Sequence, residues 1–113
     1  MKTTTVGQQA EAAVAQYLEK RGFKIIDKNW RTKICEIDIV VKKRDVVYFV
    51  EVKYRGTPAQ GSGFEYIGPK KLSQLKFAAS IWVQNCVWEG DFRIMGAAVT
   101  GMDFGAIELV EIE

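Results

Sequence analysis

Residues 34–53 read ICEIDIVVKKRDVVYFVEVK, two apolar runs separated by a charged corner at residues 42–45. Each run is rich in valine, isoleucine and aromatic residues, which suit the pleated and half-buried surface of a β-strand. The stretch therefore predicts a β-hairpin at the centre of the fold. The type of turn is left open because the corner lacks an Asn-Gly signal.

Four charged residues interrupt the apolar pattern: Glu36 and Asp38 in the first run, Glu51 and Lys53 in the second. Because side chains alternate between the faces of a strand, the members of each pair are expected to share a face. A two-residue turn at 44–45 would set Asp38 opposite Glu51. The same register would set Glu36 opposite Lys53. Facing carboxylates repel each other, so a hard divalent cation is expected to compensate them.

The alternative interpretation is that these charges only keep the exposed face of an antiparallel hairpin soluble, which is the common role of alternating charge. The second strand argues against it, because Val46 to Val50 is apolar on both faces and charge begins only at its C-terminal end. A strand that is covered on both sides and then becomes charged favours a functional site.

Histidine is absent from the 113 residues. This excludes a Ser-His-Asp triad, a Cys-His pair and a histidine general base. Hydrolytic chemistry would have to use carboxylates, lysine, tyrosine or a metal ion, and carboxylates with a magnesium-type ion fit that inventory best. The two cysteines, Cys35 and Cys86, lack metal-ligand spacing and are expected to be reduced.

The length of 113 residues predicts one domain over residues 1–113. The N-terminal MKTTTVGQQ lacks the apolar core of a signal peptide, and no apolar run approaches the roughly 20 residues of a membrane span. We therefore expect a cytoplasmic protein without a membrane partner.

The two halves of the chain differ in charge. Residues 1–56 carry 12 basic and 7 acidic side chains, whereas residues 57–113 carry 4 basic and 7 acidic side chains. The excess of positive charge around the candidate site predicts attraction to a polyanion such as nucleic acid.

The remaining patterns predict an α/β fold, a mixed sheet of about five strands flanked by two main helices with the hairpin at its centre. A Thr5/Gln8 capping box begins a helix over residues 5–21, and Pro69 suits the first turn of a second helix that ends near residue 85. The other predicted elements are a strand at 23–28, a connection at 29–31, a long mobile loop at 54–63 and strands at 92–99 and 106–112.

Asp38, a spacer and then Glu51-Val52-Lys53 resemble the core of the PD-(D/E)xK nucleases. The whole chain resembles the YraN family, small bacterial proteins that are similar to archaeal Holliday junction resolvases. The resemblance covers about nine-tenths of the chain and weakens toward the C-terminus. Its matching segments are Gly7, Ala10-Glu11, Asn29-Trp30-Arg31, Glu36-Ile37-Asp38, Phe49-Val50-Glu51-Val52-Lys53, Arg55 and Lys70 to Trp82.

The resemblance implies a restriction-endonuclease-like fold, a possible homodimer, and a magnesium- or manganese-dependent endonuclease that acts on structured or damaged DNA. Asp38, Glu51 and the backbone carbonyl of Val52 would hold the metal, which would polarise the scissile phosphate and activate a water. Lys53 would position that water or stabilise charge on the phosphate. Glu11 and Glu36 would complete or tune the metal shell.

Four basic residues would contact nucleic acid: Arg31, Arg55, Lys70 and Lys71. For each of them, and for Glu11 on the margin of the first helix, a solvated side chain is the alternative. At the level of function the alternative is a nucleic-acid-binding or adaptor module that keeps the nuclease fold without turnover, because a fold alone does not establish an activity.

Overall fold

The computed structural model describes residues 5–55 and 67–113 of the chain. Within them, one mixed sheet of five strands has the order β1-β2-β3-β4-β5. All neighbouring strands are antiparallel except β3 and β4, which are parallel. The predicted α/β fold with two helices is confirmed. Its elements are α1 (Val6–Lys20), β1 (Lys24–Arg31), β2 (Glu36–Lys43), β3 (Val46–Arg55), α2 (Pro69–Cys86), β4 (Asp91–Thr100) and β5 (Ala106–Glu111).

Both helices begin as the sequence predicts. The Gln8 N–H donates to the Thr5 hydroxyl at 3.1 Å and the Thr5 N–H donates to the Gln8 side chain at 2.9 Å, which completes the capping box of α1. Pro69 occupies the first turn of α2, where its missing N–H costs nothing. Neither helix in the described part of the chain is long and apolar enough to cross a membrane.

The helices cover opposite faces of the sheet, and each covers its own apolar cluster. On the α1 face, Val14 and Leu18 are fully buried against β2, β3 and β4. On the α2 face, the ring of Phe49 meets the ring of Trp82 edge to face, with centroids 5.5 Å apart. Burial from both sides explains why Val46 to Val50 is continuously apolar.

Strand β1 is longer than predicted. Residues 29–31 were expected to form a connection, but Trp30 pairs with Ile37 and Arg31 pairs with Glu36 on β2. Asn29 continues the strand with a left-handed backbone, φ 53°, a conformation that asparagine tolerates better than most residues. Asparagine is also a turn signal, and for that reason the pattern favoured an earlier end. Of the loop predicted at 54–63, residues 54 and 55 belong to β3 and residues 56–63 lie outside the described ranges.

Candidate active site

Asp38 is fixed where the central hairpin opens. The β2–β3 ladder has the register that a turn at 44–45 predicts, and it ends at the pair of Ile39 and Val50. Beyond that pair, the peptide N–H of Val52 donates to Oδ2 of Asp38 at 2.8 Å. A backbone N–H that would otherwise join the ladder is therefore donated to the side chain of Asp38, and this bond holds the carboxylate against β3.

The predicted pairing of Glu36 with Lys53 is wrong. Glu36 pairs with Arg31 on β1, and the β2–β3 ladder does not extend to it. Strict alternation along β2 also fails, because Ile37 packs on the α2 face whereas Ile39 packs on the α1 face. An unbroken strand would point both side chains to one face. Glu36 nevertheless lies near enough to Asp38 for its charge to raise the pKa of Asp38.

Glu51 is the buried acid of the site. Only 7% of its surface is exposed, and Nζ of Lys71 on α2 lies 3.3 Å from its Oε1. Burial raises the pKa of Glu51 to about 7, and the negative charge of Asp38 adds to the effect. Lys71 and, more weakly, Lys53 oppose the rise. Glu51 therefore changes charge near neutral pH, which is unusual for a carboxylate.

The pKa values of Asp38 and Glu11 are also raised. Burial raises the pKa of Asp38, while hydrogen bonds from Val52 and Glu51 and the charge of Lys71 oppose it. Burial followed by the charge of Asp38 raises the pKa of Glu11, and a hydrogen bond from the Asn29 side chain opposes it. The structure thus brings Glu11 of α1 to the same electrostatic cluster as the hairpin carboxylates. Perturbed carboxylates gathered in this way are typical of functional sites.

Comparison with known proteins identifies the family of this chain. The model of the uncharacterised protein family UPF0102 matches residues 10–107. The chain belongs to the UPF0102 family. A UPF0102 protein of Vibrio campbellii is 32% identical over 108 residues, which are 91% of this chain and 88% of that protein. Another, of Sulfurihydrogenibium sp., is 39% identical over 102 residues, 89% of each chain. The resemblance to YraN-like proteins is confirmed.

A third relative, a UPF0102 protein of Syntrophomonas wolfei, is 40% identical over 80 residues, which are 71% of this chain and 70% of that protein. The region matched by the family model contains the central hairpin, α2 and α1 from Ala10 onward. The site carboxylates from Glu11 to Glu51 lie in that region as well.

The donor chemistry of this UPF0102 site fits a magnesium or manganese ion only in part. Asp38 and Glu51 supply hard oxygen donors on adjacent strands, as such an ion requires. Within residues 5–55 and 67–113, however, no three acidic or cysteine side chains are grouped so as to hold a metal ion. Water or backbone carbonyls would have to complete the shell. The ligand role of the Val52 carbonyl stays a prediction.

Lys71 makes a contact that the sequence interpretation did not include. Its ammonium reaches Glu51, while its predicted contact with nucleic acid stays a prediction. The buried stripe of α2 contained the signal. Leu75 and Ala79 face the sheet, and one turn before Leu75 the same stripe arrives at Lys71. An amphipathic lysine at the end of a buried stripe can cover apolar surface and extend its charge to a nearby acid.

The predicted catalytic Lys53 and the three other predicted nucleic-acid contacts lie around this cluster. Lys53 is half-buried on β3, two residues beyond Glu51, and Arg55 is the last residue of that strand. Lys70 is exposed in the first turn of α2. Arg31 is exposed at the end of β1 and lines a groove that it shares with Lys71. All four lie at or near the end of the sheet where the hairpin opens.

Proposed function

We propose that this protein is a metal-dependent endonuclease that hydrolyses phosphodiester bonds in structured or damaged DNA. The observation that carries the proposal is the pairing of two carboxylates at one end of the sheet, the half-buried Asp38 and the buried Glu51, with Lys71 at 3.3 Å from Glu51 and Lys53 close by. Because the sequence contains no histidine, these groups are the best available means of activating water near neutral pH.

Each residue of the site would have a separate role in the hydrolysis. A magnesium or manganese ion, when bound by Asp38 and Glu51, would supply a Lewis acid for the scissile phosphate. Without the ion the pKa of Glu51 is about 7, so a bound cation would have to compete with a proton for this carboxylate near neutral pH. Asp38 keeps its position through the Val52 N–H. Lys53 would place positive charge where negative charge develops on the phosphate.

A nucleic-acid-binding module without turnover is the second candidate function. Lys71 already supplies Glu51 with a counter-charge, and no three-ligand metal group occurs among the described residues. Both observations suit a protein that keeps the site as a neutralised ion cluster. A screen of branched, nicked, duplex and single-stranded DNA with magnesium or manganese separates the candidates. Binding without cleavage by wild type under every metal condition would leave only the module.

Metal binding should raise the melting temperature of the wild type. The ion relieves repulsion between Asp38 and Glu51 and binds only the folded form, so saturating manganese is expected to add about 1–3 kcal/mol of stability. For a domain of this size, each kcal/mol corresponds to roughly 4–8 °C. Asp38→Asn should abolish the gain and leave the metal-free protein equally or more stable. Thermal unfolding with and without manganese measures both effects.

The matched control for that experiment is Asp45→Asn. Asp45 is exposed in the turn at the closed end of the hairpin, so its substitution removes one carboxylate without touching the site. This variant should keep the full metal-dependent gain. A melting temperature of the wild type that does not respond to magnesium or manganese would remove the metal from the proposed function.

A further inference from the structure

We propose that the groove between the β1–β2 connection and the first two turns of α2 binds a single-stranded segment of DNA and guides it to the carboxylate site. The inference rests on the proposed function for its choice of substrate, and it narrows that substrate to DNA with an unpaired strand. Residues 31–36 form one wall of the groove, and α2 from Lys71 to Phe77 forms the other.

The position of the groove ties it to the site. Lys71 lines the groove and also holds Glu51 at 3.3 Å. Glu36 lines it too, and its charge raises the pKa of both Asp38 and Glu11. Two lining residues are therefore electrostatic neighbours of the carboxylates. A strand lying in the groove would have a phosphate beside Asp38 and Glu51.

The charge of the groove suits a polyanion. Arg31, Lys33 and Lys71 line it against one acid, Glu36. Arg31 and Lys33 are both exposed, and no described residue forms a salt bridge with either. Their positive charge remains available to a phosphate, and such contacts gain free energy through the release of counterions.

The apolar side of the groove favours an unpaired strand over a duplex. Phe77 is 45% exposed and lies on α2, whose other face is buried against the sheet. Exposed aromatic rings beside basic residues are the platforms on which single-stranded nucleic acids stack their bases. In a duplex the base faces are already stacked on each other, so they are not available to such a ring.

The size of the groove also favours a single strand over a duplex. Its volume of about 630 Å³ falls within the range of pockets that enclose a drug-sized ligand. It can hold about one or two nucleotides of one strand, and it is too small for a double helix. The wall is also pre-formed, because the Thr32 hydroxyl accepts the N–H groups of Ile34 and Cys35 at 3.2 Å each. A pre-formed wall reduces the entropy lost on binding.

The test measures binding without metal, so it does not depend on cleavage. Fluorescence anisotropy in EDTA compares a single-stranded oligonucleotide with a duplex of the same sequence. Phe77→Leu keeps an apolar side chain but removes the ring, and it should weaken single-strand binding by roughly 5- to 150-fold, the loss of one stacked base. Phe77→Trp should retain the affinity. Neither variant should change duplex binding.

A charge variant provides a second readout if a Phe77 variant does not fold. Lys33→Glu should weaken single-strand binding, whereas its matched control Lys24→Glu, at the opposite end of β1, should not. Unchanged single-strand affinity in both Phe77→Leu and Lys33→Glu would overturn the proposal, and so would equal losses with duplex DNA. Absence of wild-type binding to any DNA would overturn it as well.

The two proposals fail in distinguishable ways. If the wild type binds single strands through Phe77 but never cleaves DNA, the groove proposal is supported and the nuclease proposal is overturned. If the wild type cleaves DNA and Phe77→Leu does not alter its preference for unpaired DNA, the nuclease proposal is supported and the groove proposal is overturned.

Discussion

Lys53→Ala is expected to reduce the rate of DNA cleavage by roughly 100- to 1,000-fold, the usual effect of removing one group that stabilises developing charge. Lys53 lies near Glu51, since its charge lowers the pKa of that acid. In the ground state Lys71 makes the closer contact with Glu51, so the binding of DNA and metal should change little. The decisive measurement is single-turnover cleavage together with affinity for an uncleaved substrate.

A purely structural role for Lys53 would give a different pattern. If it were only a counter-ion, Lys53→Ala would lower the melting temperature and leave the cleavage rate of the folded fraction unchanged. Lys24→Ala is the matched control, because Lys24 is an exposed lysine at the opposite end of the sheet. Full cleavage by folded Lys53→Ala would remove this residue from the mechanism.

Glu51→Gln should stabilise the metal-free protein at pH 8 and flatten its dependence on pH. The folded state binds a proton at Glu51 up to a pKa of about 7, whereas an unfolded chain releases it near 4.5. The folded state therefore holds more protons between these values, and the free energy of unfolding must fall as pH rises through them. The full shift corresponds to at most about 3 kcal/mol.

Urea unfolding in EDTA between pH 5 and pH 8 measures this effect. The pKa of Asp38 is also raised, so Asp38 contributes to the pH dependence of stability with the same sign. Subtracting the Glu51→Gln profile from that of the wild type leaves the contribution of Glu51. Glu108→Gln is the matched control, because Glu108 is an exposed acid on β5. A wild-type stability that stays level or rises over this range would contradict the burial of an ionisable Glu51.

Local patterns in the sequence predicted much of this fold. The Thr5 capping box acts within four residues, and the register of the central hairpin is determined by its two-residue turn. The apolar run from Val46 to Val50 indicates burial on both faces. The proximity of Asp38 to Glu51 also follows from strand periodicity, because the two residues belong to adjacent strands of one hairpin.

The parts that were missed depend on contacts distant in sequence. Asn29 is a turn signal by itself, but pairing with β2 on either side of it continues the strand. The break in alternation coincides with Asp38, whose carboxylate accepts the Val52 N–H from the neighbouring strand. Lys71 reaches Glu51 only after α2 has packed on the sheet. The stripe of α2 indicates that Lys71 lies on the side of the helix that faces the sheet, but the partner of each of these residues depends on tertiary packing.

The parallel pairing of β3 with β4 has a consequence for the order of folding. Neighbouring strands of the β1-β2-β3 meander are joined by short loops, whereas β4 pairs in parallel with β3 and is separated from it in the sequence by α2. Contacts of high sequence separation generally form late. The carboxylates should therefore meet before Lys71 arrives, and Lys71→Ala should accelerate unfolding while leaving the refolding rate nearly unchanged. Stopped-flow kinetics would show this as a shift of the unfolding limb alone, and a slower refolding limb would place α2 docking early.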